Sequence, residues 1–226
     1  MQSKSENPQL FPLLMTLRGA RVVVIGGGRV AERKVGSLLE CGAQVEVVAP
    51  RLCPGLLELA EAGRIVVTER TYRPGDLSGA ILAIAAIDDP GTGAAVAGEA
   101  ARLGIPVNVV DRPELCTFIV PSVLRRGPLT IAVSTSGTSP AWARRIREKL
   151  ENEFGEEYSR LFEALSSIRN RCLREFSDPN RRRDILQQLS DETILELART
   201  VSPERLEAAI WDRLDSGDRS NPDPAA

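Results

Sequence analysis

The sequence contains no histidine. That absence excludes Ser-His-Asp and Cys-His catalysis and every His-ligated metal site. Proton transfer must fall to Asp, Glu, Lys, Tyr, Cys or water, which burdens a hydrolase more than an enzyme whose hard chemistry is done by a bound cofactor. Cysteine is scarce. Cys41, Cys53, Cys116 and Cys172 form no C-x-x-C pair and no zinc-like spacing, so no metal site is expected, and scattered thiols of this kind fit a reducing compartment. No apolar run approaches the roughly 20 residues that span a bilayer. The opening MQSKSENPQLFPLL lacks the long apolar core of a signal peptide. The net charge of −2 provides no field to draw the chain to nucleic acid or to an anionic membrane. The expectation is a cytoplasmic protein with neither kind of partner.

What is present is an ordinary globular composition, 42% hydrophobic and 27% charged over 226 residues, enough for one large domain or two smaller ones. Sixteen of the 18 glycines precede residue 150, and only Gly155 and Gly217 follow. The first part is therefore rich in tight turns and the last part should be mostly helix. Strand-like runs at 21–25, 45–48, 65–68, 81–85 and 107–110 alternate with helical stretches at 30–39, 56–62 and 94–103. Such alternation predicts an α/β fold with a parallel sheet covered on both faces. Phe118–Pro121 and Leu129–Ser134 read as two strands joined through Arg125-Arg126-Gly127-Pro128, a hairpin appended to the sheet domain and a plausible dimer contact. Helices are predicted from Ser139 onward, with Ser139-Pro140 and Ser202-Pro203 as cap-and-start pairs. Leu161, Leu165, Ile168 and Cys172, and again Leu206, Ile210 and Leu214, fall at helical spacing. The expected division is a Rossmann-type domain over 1–112, a dimerisation and substrate region over 113–150, a helical domain over 151–214 and a disordered tail over 215–226.

The segment VVVIGGGRVAERK carries G-x-G-x-x-A at Gly26, Gly28 and Ala31. Alone the pattern is weak, but here it follows a strand, opens a helix and lies in the first βαβ unit, the context of a dinucleotide-binding turn. Gly26 allows the tight turn, Gly28 lets a pyrophosphate approach the backbone, and Ala31 is small enough for close helix–strand packing. The helix start offers free N–H groups and partial positive charge to phosphates. The alternative is a glycine-rich turn that binds nothing. The acidic residue usual at the end of the second strand is missing, and Glu46 lies too early, within the strand. On physical grounds Arg51 suits the 2′-phosphate of NADP or is a solvated loop residue, which leaves NAD and NADP both open. Asp111 ends a strand on the edge where open α/β sheets bind ligands. It serves equally well as a turn residue before Arg112-Pro113.

Five runs then occur in order: GGGRVAERK, LLECGAQVEVVAP, AIAAIDDP, NVVDRPELCTFIVPS and LTIAVSTSGTSPAWARRIREKL. Together, from about Phe11 to Leu150, they resemble precorrin-2 dehydrogenase, which also occurs as the N-terminal module of siroheme synthases; the helical region beyond is similar in general character. The resemblance implies a Rossmann domain, a dimerisation region and a helical cap, NAD as oxidant, and a homodimer with its substrate site between domains. It implies nucleotide contacts from Arg29, Val30, Pro50 and Arg51 and an acid/base role for Asp111. The activity implied is oxidation of precorrin-2 to sirohydrochlorin in modified tetrapyrrole biosynthesis. At 226 residues the chain has no room for the methyltransferase domain that some siroheme synthases carry, so a standalone form is expected.

The run Ser134-Thr135-Ser136-Gly137-Thr138-Ser139-Pro140 leads from a strand into a helix, where hydroxyls and free N–H groups attract anions. Precorrin-2 is a polycarboxylate, so Ser134, Thr135, Ser136 and Thr138, with Asn108 of NVVD, form the expected substrate set. Ser139 is expected to cap the helix. Arg144, Arg145 and Arg147 either add charge to the site or form a solvated face. The family more commonly has glycine at Ser136, often lysine at Thr138, threonine at Ile87 and asparagine at Gly93. Cys116, within PELCTF, is expected in the core, because nothing nearby would activate a thiol. Other readings compatible with the sequence are a bifunctional dehydrogenase and ferrochelatase, a non-catalytic NAD sensor, and a dehydrogenase of another small acid.

Overall fold

In the computed structural model, which describes residues 9–218, Arg21–Ile25 (β1) lies between two parallel neighbours. Its run of β-branched residues explains that position. Side chains alternate across a strand, so Val22 and Val24 enter one apolar cluster while Val23 and Ile25 enter another. Both faces need cover. Arg29–Glu40 (α1) places Ala31, Val35 and Leu38 in the first cluster, joined by Leu56 of Pro54–Glu61 (α2). Pro90–Leu103 (α3) places Val96 and Ala100 in the second. The remaining strands are Gln44–Val48 (β2), Val66–Thr68 (β3), Leu82–Ala85 (β4) and Val107–Val109 (β5). The sheet order is β3-β2-β1-β4-β5, all parallel. The chain winds outward from β1 to β3 and then returns to the other side of β1. The reversal lies between β1 and β4, and ligands of open α/β sheets bind outside the carboxyl ends at such a point.

Glu99 of α3 is the buried charged residue of the described chain. It accepts hydrogen bonds from the Gly75 and Leu77 N–H groups, at 2.8 and 3.3 Å, and from the Tyr72 hydroxyl. Burial first, and then this carboxylate, push the Tyr72 phenol well above its ordinary range. Glu99 thus pins the segment that carries the chain from β3 to β4. Replacing it with Leu leaves three donors without their acceptor, at about 1–3 kcal/mol each if they stay dry. Glu99→Leu is therefore expected to lower the urea midpoint by more than any exposed substitution on α3.

The chain divides into two compact units, residues 1–120 and 121–226. The first extends beyond residue 112, where its end was expected, because Thr117 and Phe118 return to β5. Thr117 N donates to Val107 O (2.9 Å), the Asn108 amide donates to Phe118 O (3.0 Å), and Phe118 packs on the first cluster. A short 3-10 turn, Pro113–Leu115, intervenes. For the same reason Phe118–Pro121 is not a strand. The hairpin is Ser122–Arg126 (β6) with Leu129–Val133 (β7), in which Arg125 faces Thr130 and Arg126 faces Leu129. The turn is the pair Gly127-Pro128 alone, and Gly127, at φ +53, takes the positive φ that a two-residue hairpin loop needs.

The second unit continues with Pro140–Glu153 (α4), Glu157–Glu175 (α5), Pro179–Gln188 (α6), Glu192–Thr200 (α7) and Pro203–Asp218 (α8). Leu161, Ile168 and Cys172 of α5 meet Ile194, Leu206, Ile210 and Leu214 in a core of their own. Ser139, Asp178 and Asp191 cap their helices through side-chain oxygens. α8 runs to Asp218, past Leu214, and the rest of the expected tail, 219–226, lies outside the described residues.

Candidate active site

The three glycines after β1 have different reasons to be glycine. Gly26 has φ +124, and a Cβ there would stand 2.1 Å from the Ala86 carbonyl oxygen of the β4 end. A Cβ on Gly27 would stand 1.9 Å from the Arg51 carbonyl oxygen. The loop after β2 is also tied to this turn by the hydrogen bond from Cys53 N to Gly27 O (2.7 Å). Both residues are thus demanded by the protein's own packing. A Cβ on Gly28 would meet nothing within 4 Å. Its backbone, at φ −89, suits any residue. The free space at Gly28 is the cradle a pyrophosphate would fill. Gly27 carried no assigned role in the sequence, although its place between two fingerprint glycines was the signal.

Gly28 is also the N-cap of α1, and no side chain caps that helix. The N–H groups of its first turn have no intrahelical partner, the arrangement that binds anions. The first helical bond runs from Glu32 N to Gly28 O (3.0 Å). Gly28, Arg29 and Val30 line a cleft of about 410 Å³ together with Ala86–Pro90 and Gly93 beyond β4, and Val109–Arg112 at the end of β5 and just past it. The cleft therefore lies at the carboxyl ends of β1, β4 and β5, beside the reversal in strand order. Ala31 is buried beneath it, against the sheet. Pro50 and Arg51 are exposed and flank the glycine turn at Gly27 rather than lining the cleft.

Asp111 lines the same cleft and is exposed. Its carboxylate has no hydrogen bond or ion pair among the described residues. Its backbone has φ +61, in a turn closed by Arg112 N to Val109 O (3.2 Å). A left-handed conformation costs a residue with a Cβ roughly 1–2 kcal/mol, less for Asp than for most. The cleft contains two further carboxylates that the sequence left without a role, Asp88 and Asp89. Asp89 caps α3 by accepting from Thr92 N (2.7 Å), and hydrogen bonds from the Thr92 hydroxyl first, and then from its N–H, hold the carboxyl below the ordinary range. Among the described residues no group of His, Cys, Asp or Glu side chains is arranged to hold a metal. Ile87 and Gly93, the positions that depart from the family pattern, both face the cleft; a Cβ on Gly93 would come within 3.3 Å of Val109 Cγ1.

Asn108 and Cys116 are engaged in holding the segment after β5. The Asn108 amide is spent on Phe118 O, and Cys116 Sγ donates to the carbonyls of Val109 (3.2 Å) and Arg112 (3.3 Å). Burial raises the Cys116 thiol above its usual range, as suits a packing residue.

The hydroxyl-rich loop belongs to the second unit. Much of its polarity is internal: Ser134 Oγ accepts from Ser136 N (3.0 Å), Thr135 Oγ1 both donates to Ser139 O and accepts from Ser139 N (each 3.0 Å), and Ser139 Oγ accepts from Trp142 N (3.3 Å). Thr138 N donates to Thr135 O (2.9 Å). Ser136 stands at φ +52, followed by Gly137 at φ +82. This backbone gives a physical reason for the glycine more common in the family at that position. Ser136→Gly is expected to raise the thermal midpoint, with up to about 1 kcal/mol of strain released.

Residues 13–122 match the family model described as "Putative NAD(P)-binding", and residues 126–153 match the model described as "Sirohaem biosynthesis protein central". The siroheme synthase of Methylobacillus flagellatus is 42% identical over 83% of this chain and 41% of its own length. That of Methylococcus capsulatus is 37% identical over 92% of this chain and 44% of its own. The chain belongs to the siroheme synthase family. It spans about two-fifths of the length of the siroheme synthases it matches. The likeness to family members is longer than the stretch Phe11–Leu150 that carries the motifs, so it reaches into the helical region. A solved structure of SirC, described as a precorrin-2 dehydrogenase, superposes with a TM-score of 0.73, covering 92% of this chain and 100% of the other at 23% identity; the family fold thus includes the helical second unit. Among the described residues no helix is long and apolar enough to cross a membrane.

Proposed function

We propose that the chain oxidises precorrin-2 to sirohydrochlorin with NAD, as a step toward siroheme or another modified tetrapyrrole. The observation that carries this reading is the meeting of two features in one cleft: a glycine turn with open space at Gly28, and the unpartnered carboxylate of Asp111. The relatives named siroheme synthase, and the structure described as a precorrin-2 dehydrogenase, supply the substrate class. The residues fit a dinucleotide. The first-turn N–H groups of α1 would hold its pyrophosphate, with Arg29 and Val30 beside it and Pro50 and Arg51 toward the adenosine end.

NAD, when bound, supplies the hydride acceptor. The macrocycle loses one hydride and one proton and gains one unit of unsaturation. Asp111 takes the proton, directly or through a water, and releases it to solvent between turnovers. With no histidine in the chain, it is the cleft residue beyond β5 able to do so. Ser134, Thr135, Ser136 and Thr138 of the second unit form the proposed carboxylate-recognising set, and Asn108, expected beside them, instead shapes the segment after β5 through Phe118 O. A homodimer accompanies this reading, supported by the β6–β7 ribbon, whose outer edges pair with no strand among the described residues. A cytoplasmic location goes with a nicotinamide-dependent step. The test is anaerobic incubation of precorrin-2 with the protein, analysed by absorption spectrum and mass. A product lighter by two hydrogens, formed with NAD and absent without it, is expected. An unchanged macrocycle in both tubes would remove the assignment.

A further inference from the structure

The residue that ordinarily selects NAD over NADP is a carboxylate at the end of the second strand, where it binds the ribose 2′-hydroxyl and repels a 2′-phosphate. The strand here ends without one. Its only carboxylate, Glu46, sits at mid-strand and is already engaged: Arg21 Nη2 lies 2.7 Å from one oxygen and Thr68 Oγ1 3.2 Å from the other. The loop that follows carries a cation instead. Arg51 is exposed, its side chain has no partner among the described residues, and its backbone is set against Gly27 within van der Waals reach. Of the carboxylates in this quarter, Glu32 is occupied by the Cys53 thiol (3.1 Å), and Glu69 lies beyond β3 on the far side of β2.

We propose that Arg51 adapts the adenosine end of this nucleotide site to a 2′-phosphate, so that the chain accepts NADP alongside NAD and Arg51 sets the ratio between them. The inference rests on the reading of the cleft as a nicotinamide dinucleotide site. Arginine suits the task, because its planar guanidinium forms paired, charge-assisted hydrogen bonds to phosphate. NAD, which has no 2′-phosphate, gains little from it.

The test is equilibrium titration of the whole protein with NAD, NADP and the fragment 2′,5′-ADP, without tetrapyrrole, for wild type and Arg51→Glu. Wild type is expected to bind NADP within about tenfold of NAD. Arg51→Glu should weaken NADP and 2′,5′-ADP by about tenfold or more relative to NAD. An unchanged thermal unfolding midpoint shows that the variant is folded. The proposal is overturned if wild type binds NAD but not NADP, or if Arg51→Glu changes both cofactors equally. If NAD itself does not bind, the nucleotide reading of the cleft falls, and the role of Arg51 falls with it.

Discussion

Gly28→Ala should leave the fold intact and cost NAD binding one to two orders of magnitude, whereas Gly27→Ala should damage the fold itself. The two glycines are adjacent and look equivalent in the sequence, so the contrast isolates their reasons. The methyl at residue 28 enters space where no atom of the described residues lies within 4 Å, on a backbone that alanine tolerates. Its folding cost is the small loss of a favoured N-cap type, about 1 kcal/mol at most. The same methyl occupies the ground on which a pyrophosphate must approach the helix start, and a tenfold loss of affinity corresponds to about 1.4 kcal/mol. At residue 27 the methyl would stand 1.9 Å from the Arg51 carbonyl oxygen, which is backbone of a loop that Cys53 N ties to Gly27 O. Relief requires the strand end or the loop to move, at about 3 kcal/mol or more. Thermal unfolding and NAD titration of the two variants would separate these effects. Equal NAD affinity in Gly28→Ala and wild type would mean that the space at residue 28 receives no ligand.

Asp111→Asn should lower turnover by roughly 10²- to 10⁴-fold, the usual contribution of a positioned acid or base, while NAD affinity stays within a small factor. Asparagine is nearly isosteric and tolerates the left-handed backbone that Asp111 adopts at φ +61. Loss of activity would therefore report the charge and not the turn. Asp111→Gly extends the argument. Glycine releases the conformational strain, so the unfolding midpoint should not fall, yet the proton acceptor is gone and activity should be lost with it. A residue that served only to turn the chain before Pro113 would behave oppositely: Asn and Gly would both be active.

Much of the sheet is legible in the sequence. The run VVVI of β1 is apolar at every position, and a strand without alternation is one covered on both faces, which is how its side chains divide between two clusters. The fingerprint glycines and Ala31 sit where the motif puts them, because spacing alone fixes a turn and a helix start. The hairpin was less legible. Phe118 is β-prone and apolar, but its carbonyl is claimed by Asn108 from ten positions away, a tertiary contact with no local signal. The strand consequently starts after Pro121, and Arg125 and Arg126 are paired within the ribbon rather than placed in its turn.

The site shows the same limit. Gly27, Asp88 and Asp89 acquire their places from the loop after β2 and the start of α3, elements separated in sequence and joined only by the sheet order. The positive φ of Asp111 could not be read either, since aspartate is at home in many turns. The left-handed backbone at Ser136 also has no local signal in the sequence. Ser139 caps its helix as expected, whereas Ser134 and Thr135, read as available to substrate, spend hydrogen bonds on holding the loop in shape.

The measurement that bears most directly on one cleft performing one oxidation is an anaerobic time course with precorrin-2 and NAD, in which NADH absorbance and the sirohydrochlorin spectrum are followed together for wild type, Gly28→Ala and Asp111→Asn. The predicted result is growth of both signals in step for wild type, recovery of Gly28→Ala at high NAD, and no recovery of Asp111→Asn at any NAD concentration. Wild-type protein that binds NAD yet produces neither signal would contradict the assignment and leave a nucleotide-sensing module as the better description of the chain.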